Sequence, residues 1–149
     1  MRTINKNLLS PCGLYCGMCP IYVAHRDGND RLKEKLAKDY GMKPEEISCR
    51  GCLSNELFGH HCRVCSIRSC AGEKSYEGCH QCSDFPCEHI NKFPFEDARQ
   101  IMLAAIPQWR SLGTEKWITS LENQHRCKKC GAPFTRGARR CCSCKEPVE

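Results

Sequence analysis

The chain has 149 residues, 16 of them cysteine, and a formal charge of +6. Leu, Ile, Val and Phe together supply only about 17% of it, a share at which a chain rarely builds an ordinary oily interior. No run approaches the ~20 apolar residues of a membrane span, and the first ten residues lack the apolar stretch of a secretory signal.

The expected compartment is therefore the cytoplasm, where thiols stay reduced unless they bind metal or do redox work. Five of the gaps between successive cysteines are Cys-x-x-Cys, the spacing of a metal knuckle and a poor one for disulfide partners. The charge says little about partners. A zinc ion held by four thiolates carries a net charge of about −2, so three such sites would cancel the excess.

In chain order, the segment Pro11 to Pro20 opens with Cys12, Cys16 and Cys19. The pattern predicts a helix from Asp30, as N-cap, to Tyr40, ended by Gly41, with Leu32, Leu36 and Tyr40 as its apolar stripe. Pro44 to Ile47 reads as one helical turn. Residues 49–87 carry eight cysteines and read as loops and single turns around metal, with a short helix near Ile67 to Lys74. From Phe95, the residues Ala98, Ile101, Met102, Ala105, Trp109 and Leu112 share one helical face, and Pro107 should kink or split that helix. Thr114 reads as the N-cap of a further helix carrying Trp117, Ile118 and Leu121. Both tryptophans read as core. The expected fold is small and metal-stabilised, mainly short α-helices and loops, with a C-terminal zinc-ribbon β-hairpin. Its expected units are 1–94 (cysteine-rich, multi-metal), 95–125 (helical, packed on the first) and 126–149 (the ribbon).

The ribbon gives the clearest metal signal. Cys127, Cys130, Cys141 and Cys144 form C-x2-C-x10-C-x2-C, two knuckles that close a tetrahedron of sulfur. Gly131 suits the positive φ that follows a knuckle, whereas the second knuckle has Lys145 there. Cys142 is left over and could replace Cys141. In the middle segment, Cys49, Cys52, Cys62 and Cys65 make one quartet in chain order, and Cys70, Cys79, Cys82 and Cys87 a second. An interleaved division, with Cys70 in the first site or Cys87 in the N-terminal one, would satisfy the same chemistry. The N-terminal trio Cys12, Cys16 and Cys19 leaves one position open, for His89, His80, His60, His61 or Cys142. The expected cofactor is zinc, three to four ions. The alternative is one [4Fe–4S] cluster at Cys12, Cys16 and Cys19, on the spacing C-x3-C-x2-C. His25 and His125 read as surface residues.

The motifs Cys12-Gly13-Leu14-Tyr15-Cys16-Gly17-Met18-Cys19-Pro20, Cys49-Arg50-Gly51-Cys52, Cys65-Ser66-Ile67-Arg68-Ser69-Cys70-Ala71 and Cys79-His80-Gln81-Cys82-Ser83-Asp84-Phe85-Pro86-Cys87-Glu88, with Leu112 to Ile118 before the ribbon, carry a resemblance. Together they resemble the prokaryotic cysteine-rich family called domain of unknown function 3795, over nearly the whole chain. The resemblance implies a small cysteine-rich, metal-binding protein and assigns it no particular activity.

Three functions follow. The first is a zinc-binding adaptor acting on an unknown protein partner, without catalysis, since closed sites leave no position for a substrate. The second is nucleic-acid binding through Lys128, Lys129, Arg136, Arg139 and Arg140 of the ribbon, with Phe134 to stack on a base. Between Arg126 and Lys145 there is no acidic residue. The third is an iron–sulfur protein built on the N-terminal trio. No membrane partner is expected.

Overall fold

The computed structural model describes residues 3–54 and 64–148. Cys62, His60 and His61 lie outside the described residues. Among the described residues there are six α-helices and several single 3-10 turns, with no β-strand. The first helix, α1 (Pro20–Asp27), had no clear periodic signal, since only Ile21 and Ala24 are buried on its eight residues. Pro20 starts it with a preset φ, and Gly28 ends it in the left-handed conformation. Next, α2 (Asp30–Tyr40) is capped one residue earlier than expected. Asn29 Oδ1 accepts the Leu32 N–H at 3.0 Å, and Asp30 is the first helical residue. The pair buries Leu36 and Ala37 against Ile21, Ala24 and Ile47, while Tyr40 is 46% exposed, off the apolar stripe assigned to it.

Helices α3 (Ser66–Glu73) and α4 (Glu88–Asn91) flank a loop whose 3-10 turn spans Cys79–Gln81. They bury Ile67 and Ile90 against Met102 of α5 (Glu96–Leu112) and against Cys12. Pro107 does not split α5, which runs unbroken through it. The ring faces solvent, where water can take up the carbonyl freed by its missing N–H. Ile106 and Trp109 beside it are fully buried and hold the helix to the core. Ile101 and Leu112 are exposed, so the apolar face is narrower than the sequence pattern suggested.

Helix α6 (Thr114–Gln124) follows after Gly113 alone. Gly113, not Thr114, is its cap. The Thr114 hydroxyl instead accepts the indole N–H of Trp109 at 2.9 Å. Trp109 and Trp117 are both fully buried and stack at 4.2 Å with rings 6° from parallel. His80 stacks on the other side of Trp109 at 3.9 Å, and Tyr15 meets Trp117 edge-on at 6.1 Å. This four-ring assembly is the main apolar core, completed by Leu9, Met18, Ala105, Ile106 and Ile118. Aromatic burial of this size compensates for the scarcity of aliphatic residues.

Beyond α6 the chain forms two short loops, each closed by an isolated antiparallel bridge, Arg126 to Pro133 and Arg140 to Pro147. The expected β-hairpin is thus not formed among the described residues. Each loop spends its backbone donors on the sulfurs and on its own turn, leaving one bridge instead of a ladder. The backbone N–H of Arg136 donates to the Met18 carbonyl at 2.9 Å, and its guanidinium donates to the Leu14 carbonyl. These bonds dock the C-terminal unit on the N-terminal segment. No helix among the described residues is long and apolar enough to cross a membrane.

Candidate metal centre

The two C-terminal loops are copies of one another, offset by fourteen residues. The sequence Arg126-Cys127-x-x-Cys130-x-x-Pro133 recurs as Arg140-Cys141-x-x-Cys144-x-x-Pro147. The Cys127 N–H donates to the Ala132 carbonyl at 2.8 Å, and the Cys141 N–H to the Glu146 carbonyl at 2.8 Å. The Gly131 and Lys145 N–H groups donate to the carbonyls of Cys127 and Cys141, at 2.8 and 3.0 Å. Each arginine reaches across its own loop, Arg126 to the Gly131 carbonyl at 3.2 Å and Arg140 to that of Lys145 at 3.1 Å. Lys145 takes the glycine role at φ 65°, next to 77° at Gly131. This internal repeat was legible in the sequence, in the R-C-x2-C-x2-P spacing, and was missed.

The copies face each other and bring four sulfurs together. Cys127 Sγ lies 3.5 Å from Cys144 Sγ, and Cys130 Sγ 3.5 Å from Cys141 Sγ; all four lie within 4.8 Å of one another. A tetrahedral zinc with Zn–S of about 2.3 Å needs sulfurs about 3.8 Å apart, so the quartet fits one ion. Cys141, not Cys142, belongs to this set. Cys141 is buried, whereas Cys142 is exposed and outside the group.

The electrostatics are those of a site prepared for a cation. Backbone N–H groups of Cys144 and Ser143 hydrogen-bond the Cys141 sulfur and lower its pKa to about 6. Those of Cys130 and Lys129 lower that of Cys127. At Cys144 the Glu146 N–H favours the thiolate, but burial and the three neighbouring sulfurs outweigh it and raise the pKa to about 12. Cys130 is likewise raised, the Ala132 N–H being outweighed by Cys141 and burial. A divalent ion bound by the four sulfurs would displace the protons they carry.

The contacts of the other described sulfurs cross their order in the chain. Among the described residues, only the C-terminal quartet closes to single-ion size. The N-terminal trio diverges. Cys12 is buried beside Ile67, Ile90 and Met102, with Cys65, Cys79 and Cys87 around it. Cys19 packs with Cys49 and the α1–α2 core. Cys16 accepts the backbone N–H of Cys52 at 3.2 Å, and Cys49 that of Gly51 at 3.3 Å. Gly51 sits at φ 115° with its backbone pressed on the Asn7 carbonyl, where a Cβ has no room. Cys70, Cys79, Cys82 and Cys87 line one cavity of about 220 Å³. Burial, then the charges of Cys12, Cys87, Cys82 and Cys70, push the Cys79 thiol up to about 12. None of the described cysteines is in a disulfide.

Of the histidines proposed as a fourth ligand, His80 is committed to the ring stack, its Nδ1 buried without a hydrogen-bond partner. His89 is exposed at the rim of the 220 Å³ cavity. His25 and His125 are half-buried; His125 Nδ1 meets the Leu121 carbonyl at 2.9 Å, at the end of α6. Of the five expected phosphate-binding cations, Lys129, Arg136 and Arg140 have identified work within the fold. Lys129 pairs with Glu146 at 2.7 Å, Arg136 docks the unit, and Arg140 closes its loop. Lys128 and Arg139 are exposed.

A family model described as "Protein of unknown function (DUF3795)" matches residues 8–92, more than half of the chain. The match takes in every cysteine from Cys12 to Cys87. The segment Leu112 to Ile118 and the C-terminal quartet lie outside it, so the resemblance is shorter than the motifs suggested. No curated protein and no solved structure matches.

Proposed function

The chain belongs to the DUF3795 family of proteins of unknown function, and from that premise we propose that it is a zinc-stapled binding module. The carrying observation is the closure of Cys127, Cys130, Cys141 and Cys144 around a volume of single-ion size. Four thiolates fill the coordination sphere of zinc and leave no position for a substrate, so the ion's work is structural. Where hydrophobic burial is scarce, such an ion can contribute about 10–16 kcal/mol of apparent binding free energy to a small unit.

The surface that the ribbon zinc would organise is a cleft of about 570 Å³ between the C-terminal loops and α1. Tyr22 and Phe134 line it, offering aromatic faces to a protein segment. The phosphate-binding reading is the weaker one, because Lys129, Arg136 and Arg140 are engaged internally. Hydrogen exchange with and without a chelator tests the proposal. Removing zinc should expose the amides of Phe134 and Arg136, which now bond the His125 and Met18 carbonyls at 2.9 Å each. Unchanged protection after the ion has left would refute a structural role. Retention of single-stranded DNA on a filter at low salt, falling steeply as salt is added, would favour the phosphate reading instead.

A further inference from the structure

The cavity of about 220 Å³ between α3, the Cys79–Gln81 turn and α4 is unlike the ribbon site in one respect. Four cysteines line it, yet no three of them come within the mutual 4.8 Å that the ribbon quartet achieves. They stand around a void. Cys70 projects from α3, Cys79 and Cys82 bracket the turn, and Cys87 caps α4. Cys79 is within electrostatic reach of Cys12, which packs in the adjoining core, and of the other three.

The spacing is fixed from outside the cavity. The Cys79 N–H donates to the Pro11 carbonyl at 2.9 Å. From α5, Arg110 donates to the carbonyls of His80 and Cys82, both at 2.9 Å, and so clamps the turn at each end. Gly78 lies flat against Trp109. A turn held at three points cannot easily collapse inward until its sulfurs meet around a single ion.

Of the rest of the lining, Ile67, Ala71 and Phe85 are apolar, while Tyr76, Asp84, Glu88 and His89 are exposed polar groups. Lys74 places its ammonium 3.9 Å from Cys82 Sγ and 3.9 Å from the Asp84 carboxylate, a cation shared between a sulfur and an acid. Apolar cover, four sulfurs set wide and a nearby cation suit an anionic polynuclear centre, in which each thiolate binds its own metal atom.

We propose that Cys70, Cys79, Cys82 and Cys87 hold a [4Fe–4S] cluster in this cavity. The site is separate from the ribbon and does not depend on the ribbon's holding zinc. It also differs from the Cys12, Cys16 and Cys19 placement, since those three side chains diverge into different clusters.

The test is anaerobic reconstitution of the full chain with ferrous iron, sulfide and zinc under thiol reductant. Iron and acid-labile sulfide are then counted per chain, and the visible absorption and the electron paramagnetic resonance after dithionite are recorded. The expected wild-type result is a brown protein with about four irons and four sulfides per chain. Cys82→Ser and Cys87→Ser, at half-buried positions, should each lose most of the iron while keeping the far-ultraviolet helical signal, which reports that the chain has folded, and the C-terminal zinc. Cys130→Ser should lose ribbon zinc and keep the iron. A colourless wild type that takes only zinc under these conditions overturns the proposal. So does iron that survives both Cys82→Ser and Cys87→Ser, or that is lost only when Cys16 or Cys19 is replaced.

Discussion

Replacing Gly78 by alanine probes the joint between the aromatic core and the cysteine turn. A Cβ at this position would lie 2.5 Å from Trp109 Cζ3 and 2.9 Å from His80 Nδ1. Neither neighbour can move cheaply. Trp109 is fully buried, stacked at 4.2 Å on Trp117 on one side and at 3.9 Å on His80 on the other, and tied to Thr114 through its indole N–H. The backbone at Gly78 is extended, at φ −170°, so the penalty is overpacking and not conformational strain. Overpacking a filled core costs about 1–3 kcal/mol, and a ring held on both faces places this case near 3. At roughly 2–4 °C per kcal/mol for a chain of this size, Gly78→Ala should melt about 6–12 °C lower. Gly72 in α3 is the control. A Cβ there meets nothing within 4 Å, so Gly72→Ala should gain about 0.5–1 kcal/mol from helix propensity. Thermal melts of the two variants with native metal bound decide the matter. A Gly78→Ala protein melting within 1 °C of wild type, by about the precision of such scans, would refute the packing argument.

Other expectations concern the metal units. Cys141→Ser should remove one zinc per chain and leave the far-ultraviolet helical signal of α1–α6 nearly unchanged, because the helices have cores of their own; retention of that zinc would reinstate Cys142 as ligand. Zinc affinity of the ribbon should rise with pH. Cys130 and Cys144, both raised and Cys144 to about 12, are thiols at neutral pH and must lose their protons on binding. Cys141, lowered to about 6, is already a thiolate at pH 7. Release of at least these two protons per ion corresponds to a gain of roughly a hundredfold or more in apparent affinity per pH unit near neutrality. Calorimetry in two buffers of different ionisation enthalpy measures that number, and zero protons released would contradict it. Lys145→Gly should stabilise the zinc-loaded ribbon by about 1 kcal/mol, since φ 65° strains a side-chain-bearing residue; a chelator-competition titration would show tighter zinc retention, and a loss would mean that the Lys145 bond to the Cys142 carbonyl at 2.9 Å matters more.

What the sequence revealed depended on whether the signal was local. The α2 stripe, the Trp109 and Trp117 positions and the ribbon quartet all rest on residues a few positions apart, or on two knuckles of matching form. Helix α1 was not legible, because eight residues with two buried positions give no periodicity to read. The continuity of α5 through Pro107 is a tertiary effect, decided by the burial of Ile106 and Trp109 on either side. The partition of the sulfurs was least accessible. Chain order places Cys49 and Cys52 with later cysteines, whereas the fold sets Cys52 against Cys16, thirty-six residues earlier. Thiol chemistry is the same in each arrangement, so spacing alone cannot choose among them.

If metal–sulfur bonds replace much of an ordinary hydrophobic interior, removing the ions must loosen the whole chain. Treating the native protein with a strong chelator under anaerobic, reducing conditions, while following metal content and thermal unfolding together, tests this. The ions should leave as the cooperative transition broadens and falls in temperature, and both should return when metal is restored. A metal-free chain that melts at the same temperature and with the same sharpness as the loaded one would contradict it.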